Sequence, residues 1–416
     1  MSPKLGLLPL ALLAFSGCNT VPTSSSSEPI SSTGIITAMP VQPAAVSIQY
    51  TSPEAHGLGK SAWSGGRWAW SGGRAAWSGG RPAWSGADTS ITLAENFEAW
   101  KQVHLDTAQG LASKLGAGIK VAVLDTGLDY THPAFQDRLA PASEWRDFVD
   151  NDNDPQEVGI GGVDDGFGHG TGVAGVIVQV APRAIILPLR VLNKNGSGDT
   201  TGIANAIEYA VAAGAKVINL SLGSDGFDCD LQKTIAVNVP EGVFVVASSG
   251  NNGTTKLTFP AATTKQNPNS VYSKDPAIMT QVKVCGLTPS QSSGVQNRTV
   301  GVGSVGTLEF DHKSNFSTYG EGLEMLAPGE GIFTPLPNNE LGSWSGTSFA
   351  APMVSGALAL AAAETLTTKP EKLARAVATT ADLIDSVNPG LEGLLGFGRL
   401  NIEAFLKATM AAGGSK

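Results

Sequence analysis

Residues 346–352 read Gly346-Thr347-Ser348-Phe349-Ala350-Ala351-Pro352, and the apolar run that begins there extends to Ala363. This run predicts a buried helix with Pro352 in its first turn, where the missing N–H of proline costs no hydrogen bond. Ser348 then lies at the helix N-terminus, whose dipole favours negative charge on the serine oxygen. Serine is also a common helix N-cap, so this stretch by itself does not identify a nucleophile.

Two stretches nearer the N-terminus supply partners for this serine. Asp125 ends the strand-like run at residues 121–124, and His169 lies between Gly168 and Gly170. In the order Asp, His, Ser these side chains are the parts of an activated nucleophile, because the carboxylate orients the imidazole and the imidazole removes the hydroxyl proton. Three motifs in this order are far more specific than any one of them.

These motifs resemble those of the subtilisin family of serine peptidases, over roughly residues 97–407. The resemblance implies an α/β fold, the subtilisin-like three-layer fold with a mostly parallel sheet flanked by helices. It also implies a serine endopeptidase that cleaves peptide bonds through an acyl-enzyme and needs no organic cofactor. Ser348 would be the nucleophile, His169 the general base and then acid, and Asp125 the orienting carboxylate.

The hydrophobic pattern predicts the same class of fold. A first helix containing Trp100 and continuing through Ala112 precedes the Asp125 strand, and residues 202–213 have apolar side chains at helical spacing. Alternation of strands with helices indicates a mostly parallel sheet covered on both faces. Asp125 and Ser221 are both expected at the edge where strands end. Further strand-like runs lie at residues 184–192, 216–222 and 243–248.

The family resemblance implies further site residues. Asn251 matches the asparagine that donates to the oxyanion together with the backbone N–H of the nucleophile, although Asn-Asn-Gly is also an ordinary turn. Ser221-Leu222-Gly223 and Gly196-Ser197-Gly198 resemble the two edges of the substrate cleft. Such edges bind an extended peptide as an added strand, whereas each tripeptide alone is an unremarkable turn. The expected partners are therefore protein and peptide substrates.

An acidic loop at residues 147–156 is rich in side-chain oxygens. Ca²⁺ prefers about six to eight oxygen ligands, and the loop resembles a calcium loop of the family. The resemblance implies a structural Ca²⁺ that performs no chemistry; the alternative is a solvated acidic loop. The implied ligands are the side chains of Asp147, Asp150, Asp152 and Gln156 and the carbonyl of Asp154.

The chain departs from the family pattern at two positions near these motifs. Gly172 stands where the family usually has a second histidine, and we expect altered packing there rather than lost activity. Ala134 replaces an acid that serves the strongest calcium site of many relatives, so this chain lacks one ligand of that site.

Two cysteines, Cys229 and Cys285, lie in the predicted catalytic domain. In an exported protein such a pair favours a disulfide, which would join an insertion at about residues 263–298 to the core. The alternative is two unrelated buried thiols.

The first 18 residues have the pattern of an export signal. Lys4 and an apolar run at residues 5–15 precede the small residues that lead to Cys18. The pattern resembles the lipobox of bacterial lipoproteins, in which the cysteine is lipidated, but Phe15 stands where leucine is usual. The alternatives are a lipid anchor on Cys18 and plain cleavage of the signal. The lipid anchor is the sole membrane contact that we expect. The predicted location is therefore secreted or in the cell envelope.

Residues 19–94 predict a disordered linker or propeptide. Within residues 62–86 a Trp-Ser-Gly-Gly-Arg unit recurs with a period of seven, and its paired glycines exclude a coiled coil. The repeats are either a flexible linker or a Trp/Arg array that docks on cell-wall glycan, an envelope partner or the enzyme's own surface. The tryptophans in register are Trp63, Trp70, Trp77 and Trp84.

The composition limits the remaining possibilities. The chain has 36 acidic and 27 basic residues, which argues against a nucleic-acid partner. Residues 95–408 fit one catalytic domain with a short tail at 409–416, and we expect a monomer.

A binding protein with a vestigial peptidase domain is the competing class, but decay would erode the four site residues, all of which are present. An esterase on another fold would show Gly-x-Ser-x-Gly and the order Ser, Asp, His.

Overall fold

The structure is a computed structural model that describes residues 35–38, 68–71, 74–77, 93–161, 163–263, 285–288, 299–365 and 370–413. The strands are β1 (Ile35–Ala38), β2 (Trp68–Ser71), β3 (Arg74–Trp77), β4 (Lys120–Asp125), β5 (Arg146–Asp147), β6 (Ile185–Arg190), β7 (Ser197–Asp199), β8 (Val217–Leu220), β9 (Leu222–Gly223), β10 (Phe244–Ser248), β11 (Thr299–Val305), β12 (Met325–Pro328), β13 (Ile332–Leu336) and β14 (Glu340–Trp344). The α-helices are α1 (Phe97–Gln102), α2 (Leu105–Leu111), α3 (His169–Val180), α4 (Thr200–Ala212), α5 (Cys229–Val237), α6 (Thr347–Glu364), α7 (Pro370–Thr379) and α8 (Ile402–Gly413).

A seven-stranded parallel sheet lies at the centre, in the order β12-β11-β10-β8-β4-β6-β5. Its central strands are continuous apolar runs, and β8 and β10 are buried at every position. Such runs form strands that are covered on both faces, because parallel strands are joined by helices that pack on the sheet. The predicted, mostly parallel sheet is therefore confirmed.

Alternate residues of β4 enter two separate cores. Val121 and Val123 pack in the core that contains α3 and α6, whereas Ala122 and Leu124 pack in the core that contains α4 and α5. This follows from the two-residue period of a strand, which directs successive side chains to opposite faces. Helices on both sides of one sheet give the three layers that the family resemblance implied.

The prediction of a single helix before the Asp125 strand is wrong. The structure divides it into α1 and α2, because His104 adopts a left-handed conformation with φ of 56° between them. A right-handed helix does not continue through a residue in that conformation.

Three short strands lie within residues 19–94, which the sequence predicted to be a linker or propeptide. β1 pairs antiparallel with β7 on one side and with β9 on the other. β2 and β3 pair antiparallel, with only Gly72 and Gly73 between them in the sequence, and β3 pairs with β14. Two glycines between strands are a typical hairpin signal. Through β3, this part of the tryptophan repeats also joins the sheet of β13 and β14.

Several predicted features fall outside the described residues. These include the export signal with Cys18, Trp63 and Trp84, and most of the insertion at about residues 263–298. Residue 285 of that insertion is described, and a disulfide joins Cys285 to Cys229 with Cα atoms 5.4 Å apart. In the described part of the chain, every helix is too short or too polar to cross a membrane.

Candidate active site

Asp125 and His169 are joined by a hydrogen bond in the interior. Asp125 is the last residue of β4 and His169 is the first residue of α3, and both are buried. His169 Nδ1 donates to Asp125 Oδ1 at 2.6 Å. Burial lowers the pKa of His169, but Asp125 and the nearby Glu157 raise it more, so the pKa lies above its usual value. The imidazole is thus oriented by a carboxylate, as a general base requires.

Ser348 lies in the first turn of α6, beside this pair. Phe349, the next residue, packs edge-on against His169 with ring centroids 5.6 Å apart. Ser348 Oγ donates to the carbonyl of Ser221 at 3.3 Å, and His169 Nε2 has no hydrogen-bond partner among the described residues. The structure therefore brings Asp125 and His169 into direct contact, while the Ser348 hydroxyl is directed at the neighbouring strand end.

The position of Pro352 differs from the prediction, and the difference explains a contact of Ser221. Because α6 begins at Thr347, Pro352 lies in the second turn rather than the first. Proline has no N–H to bond the carbonyl of Ser348, four residues earlier. The hydroxyl of Ser221 donates to that carbonyl instead, at 2.7 Å. The predicted cleft residue Ser221 is therefore also a support of the α6 N-terminus.

Asn251 follows β10 and faces the start of α6. Its Oδ1 accepts hydrogen bonds from Thr347 N and from Thr347 Oγ1, both at 2.9 Å. These bonds fix the amide plane, and a Cβ on Gly346 would lie 3.2 Å from Asn251 Nδ2. Gly346 thus leaves space for the amide beside the N-terminus of the serine helix.

Aromatic rings occupy the space beside Gly172, where the family usually has a second histidine. A Cβ on Gly172 would lie 3.1 Å from Phe349 Cε1 and 3.4 Å from Trp344 Nε1. Trp344 stacks on Phe349, with centroids 5.3 Å apart, and packs edge-on against His169. Such offset and edge-on contacts are favourable for aromatic pairs. The two rings therefore pack against the imidazole of His169.

The two predicted cleft edges form the outer strands of a three-stranded antiparallel sheet. One edge contains β7, preceded by Gly196, and the other contains β9, preceded by Ser221. The chain's own β1 lies between them, with Thr37 paired to Ser197 on one side and to Gly223 on the other. Both edges are therefore able to pair with an extended chain at the same time. The remaining pairs are Ile35 with Asp199, Ile36 with Gly198, and Ala38 with Leu222.

The acidic loop is ordered by its own hydrogen bonds and by Arg190. Arg190 Nη1 contacts the carboxylates of both Asp147 and Asp150. Asp152 Oδ1 accepts from the N–H of Asp154, and the Asp154 side chain accepts from Gln156 N. Two of the implied calcium ligands are thus already paired with a cation.

The chemistry of the loop nevertheless fits a hard cation. Its donors are all oxygens, and Gln156 Oε1 is buried without a hydrogen-bond partner among the described residues. No group of three or more His, Cys, Asp or Glu side chains is positioned to hold a metal in the described part of the chain. Ala134, where an acid would serve a second site, is buried.

Sequence reasoning missed two contributors to this site. Trp344 gave no signal, because its position next to His169 arises only when β14 and α6 fold together. Glu157 directly follows the acidic loop, and its burial against the segments of Asp125 and His169 is not visible in the residue pattern.

Several known proteins are similar to this chain in sequence. A family model described as the subtilase family, Peptidase_S8, matches residues 116–398. Thermitase of Thermoactinomyces vulgaris is 36% identical over 279 residues, which cover 65% of this chain and 83% of thermitase. The thermophilic serine proteinase of Bacillus sp. (strain AK1) is 32% identical, over 70% of this chain and 62% of that protein. The major intracellular serine protease of Bacillus subtilis (strain 168) is 35% identical, over 59% of this chain and 68% of that protein. The chain therefore belongs to the subtilase family and is a serine-type endopeptidase that acts on protein or peptide substrates.

Proposed function

We propose that Asp125, His169 and Ser348 form the catalytic triad of this endopeptidase. The observation that carries the proposal is the buried hydrogen bond of 2.6 Å from His169 Nδ1 to Asp125. With its proton on Nδ1, the imidazole has a free lone pair on Nε2. Activation requires the Ser348 hydroxyl to leave the Ser221 carbonyl and to donate to that nitrogen. Hydrogen bonds of this kind often tighten only when substrate is bound.

The reaction follows from these roles. His169 Nε2 takes the Ser348 proton while the oxygen attacks the scissile carbonyl, and the proton then passes to the leaving amine. Water hydrolyses the resulting acyl-enzyme by the same proton transfers in reverse order. Asn251 and the backbone N–H of Ser348 donate to the oxyanion of each tetrahedral intermediate. The fixed amide plane of Asn251 supports this assignment.

The substrate binds as a strand between the two cleft edges. β1 supports this mode, because an extended segment of this chain pairs with both edges in antiparallel register. Main-chain hydrogen bonds of this type give affinity that is independent of side chains. In the full-length chain β1 and a substrate compete for the same place, so release of β1 precedes turnover.

The acidic loop binds a structural Ca²⁺ through its oxygen donors. The buried Oε1 of Gln156 and the acidic side chains support this assignment, and Arg190 competes with the ion for Asp147 and Asp150. The bound ion would stabilise the segment that precedes His169. It would supply no catalytic chemistry.

The enzyme is exported and monomeric, and it is either secreted or attached to the cell envelope through Cys18. The signal pattern of residues 1–18 supports export. The intact mass of the native protein tests this directly, because it shows the mature N-terminus and any lipid.

A serine-reactive fluorophosphonate tests the triad. We expect one adduct, mapped to Ser348, on the folded protein freed of its N-terminal segment. Absence of the adduct from such a sample would contradict the triad and would favour the rival function, an envelope-binding protein with an inactive domain.

A further inference from the structure

Glu157 carries a buried carboxylate that takes no part in the steps above. The residue is 6% exposed. Its Oε1 accepts a hydrogen bond from Thr126 Oγ1 at 2.7 Å, and its Oε2 accepts from Thr171 Oγ1 at 2.8 Å and from Thr171 N at 3.2 Å. Burying a carboxylate is costly unless donors surround it, so these three donors account for its presence in the interior.

The two threonines belong to the segments that carry Asp125 and His169. Thr126 follows Asp125, and its N–H donates to Asp125 Oδ1 at 2.8 Å. The hydroxyl of Thr126 also accepts from the N–H of Gly170, the residue after His169, at 3.0 Å. The other threonine lies two residues after His169. Glu157 therefore connects the strand end that bears the carboxylate with the helix start that bears the imidazole.

These two segments touch through their backbones. A Cβ on Gly170 would lie 2.1 Å from the carbonyl oxygen of Gly127 and 3.0 Å from Asp125 Cβ. A Cβ on Gly127 would lie 3.1 Å from Glu157 Cα. Because such close packing leaves little room for relaxation, a displacement at Glu157 is transmitted to the bond between Asp125 and His169.

The hydroxyls of Thr126 and Thr171 are both free to donate to Glu157. Thr171 Oγ1 accepts from Asp129 N, and Thr126 Oγ1 accepts from a backbone N–H, so both hydroxyl protons are available for Glu157. Its oxygens only accept, as those of an ionised carboxylate do.

We propose that Glu157 is a positioning residue that holds Asp125 and His169 in hydrogen-bonding register. This rests on the triad proposed above. The titratable groups that act on His169 are Asp125 from the end of β4 and Glu157 from the loop before α3. The rings of Trp344 and Phe349 pack against its other sides. Loss of the Glu157 hydrogen bonds therefore weakens the contact between the imidazole and Asp125.

The test is the Glu157→Gln variant. Variant and wild type are expressed with their N-terminal segment and are compared after that segment has been removed from both. We expect kcat to fall roughly tenfold with KM unchanged, because a charged hydrogen-bond acceptor is lost without any change in the cleft. The acid limb of kcat/KM should also move to lower pH, by on the order of one unit, since a weaker bond from His169 to Asp125 favours the neutral imidazole. A change in melting temperature with an unchanged kcat and acid limb would overturn the proposal.

Asp311→Asn is the matched control. Asp311 also accepts hydrogen bonds in a partly buried site, from Gln102 and Arg399, and none of these residues contacts the triad. This variant should lose stability but keep the wild-type kcat and acid limb. If both variants shift the acid limb equally, the effect is not specific to Glu157 and the proposal fails.

Thr171→Val decides the question if the Gln variant does not fold. This change removes the hydroxyl that donates to Glu157 and accepts from Asp129 N, and it retains the carboxylate. A reduced kcat with unchanged KM supports the positioning role, and a wild-type kcat overturns it. Labelling of wild-type Ser348 by the fluorophosphonate separates this result from a failure of the triad itself.

Discussion

β1 lies between the two strands that we propose bind the substrate, so weakening its pairing should activate the chain that still carries β1. Thr37 is the informative position, because it pairs with Ser197 on one side and with Gly223 on the other. Thr37→Pro removes the backbone N–H and places a proline in the middle of a sheet, where it is poorly tolerated. Thr37→Ala keeps the N–H and is the matched control.

The magnitude follows from the lost hydrogen bond. One backbone hydrogen bond contributes about 1 kcal/mol net, which corresponds to roughly a fivefold change in an equilibrium. If β1 occupies the cleft in most molecules, loss of this hydrogen bond raises the fraction of molecules with a free cleft by that factor. We therefore expect kcat/KM of the Thr37→Pro chain to be about five times that of the wild-type chain, and that of Thr37→Ala to be unchanged.

The assay is hydrolysis of a chromogenic peptide at a concentration well below KM. Intact mass must show that each chain still carries residues 35–38, so that processed enzyme does not dominate the rate. Equal kcat/KM for the wild type and both variants would show that β1 does not compete with substrate. Equal activation by proline and alanine would refute the argument from the backbone N–H.

Four further predictions concern the site itself. Ser348→Ala should abolish peptide hydrolysis and leave the thermal unfolding curve unchanged; residual wild-type activity would exclude Ser348 as nucleophile. Asn251→Ala should lower kcat with little change in KM, by about 10²–10³, the size measured for the oxyanion asparagine of subtilisin. The pKa of His169 is raised, and only the neutral imidazole is a base, so kcat/KM should fall as pH drops through a value above the usual ~6.5; a midpoint below that value would contradict the assignment. Ca²⁺ at about one hundred times its Kd should raise the free energy of unfolding by about 2.7 kcal/mol, which is measured as a higher Tm. Asp152→Asn should remove this increase and leave the Arg190 ion pairs intact.

Much of the fold was predictable because its signals are local. The apolar runs that became β6, β8 and β10 are continuous in the sequence, and so is the small-residue run that became α6. Long buried runs of this kind leave few alternatives to a covered parallel sheet. The interruption at His104 was not predictable in this way, because a single residue in a left-handed conformation leaves the hydrophobic pattern unchanged.

The contacts missed by the sequence join residues whose proximity depends on the whole fold. Arg190 gave no signal in the sequence, yet it contacts Asp147, which is 43 residues away. The hydroxyl of Ser221 bonds to the carbonyl of Ser348, 127 residues away, because Pro352 leaves that carbonyl without its helical partner. Neither contact follows from the local pattern.

The linear order of Asp125, His169 and Ser348 was enough to identify the family and its chemistry, because each lies in a short motif at the end of a strand or the start of a helix. The placement of Glu157, the aromatic packing over Gly172 and the occupation of the cleft by β1 were decided by the tertiary structure alone. The physical reason is that motifs encode local conformation, whereas burial, close packing and strand pairing depend on which distant segments the folded sheet brings together.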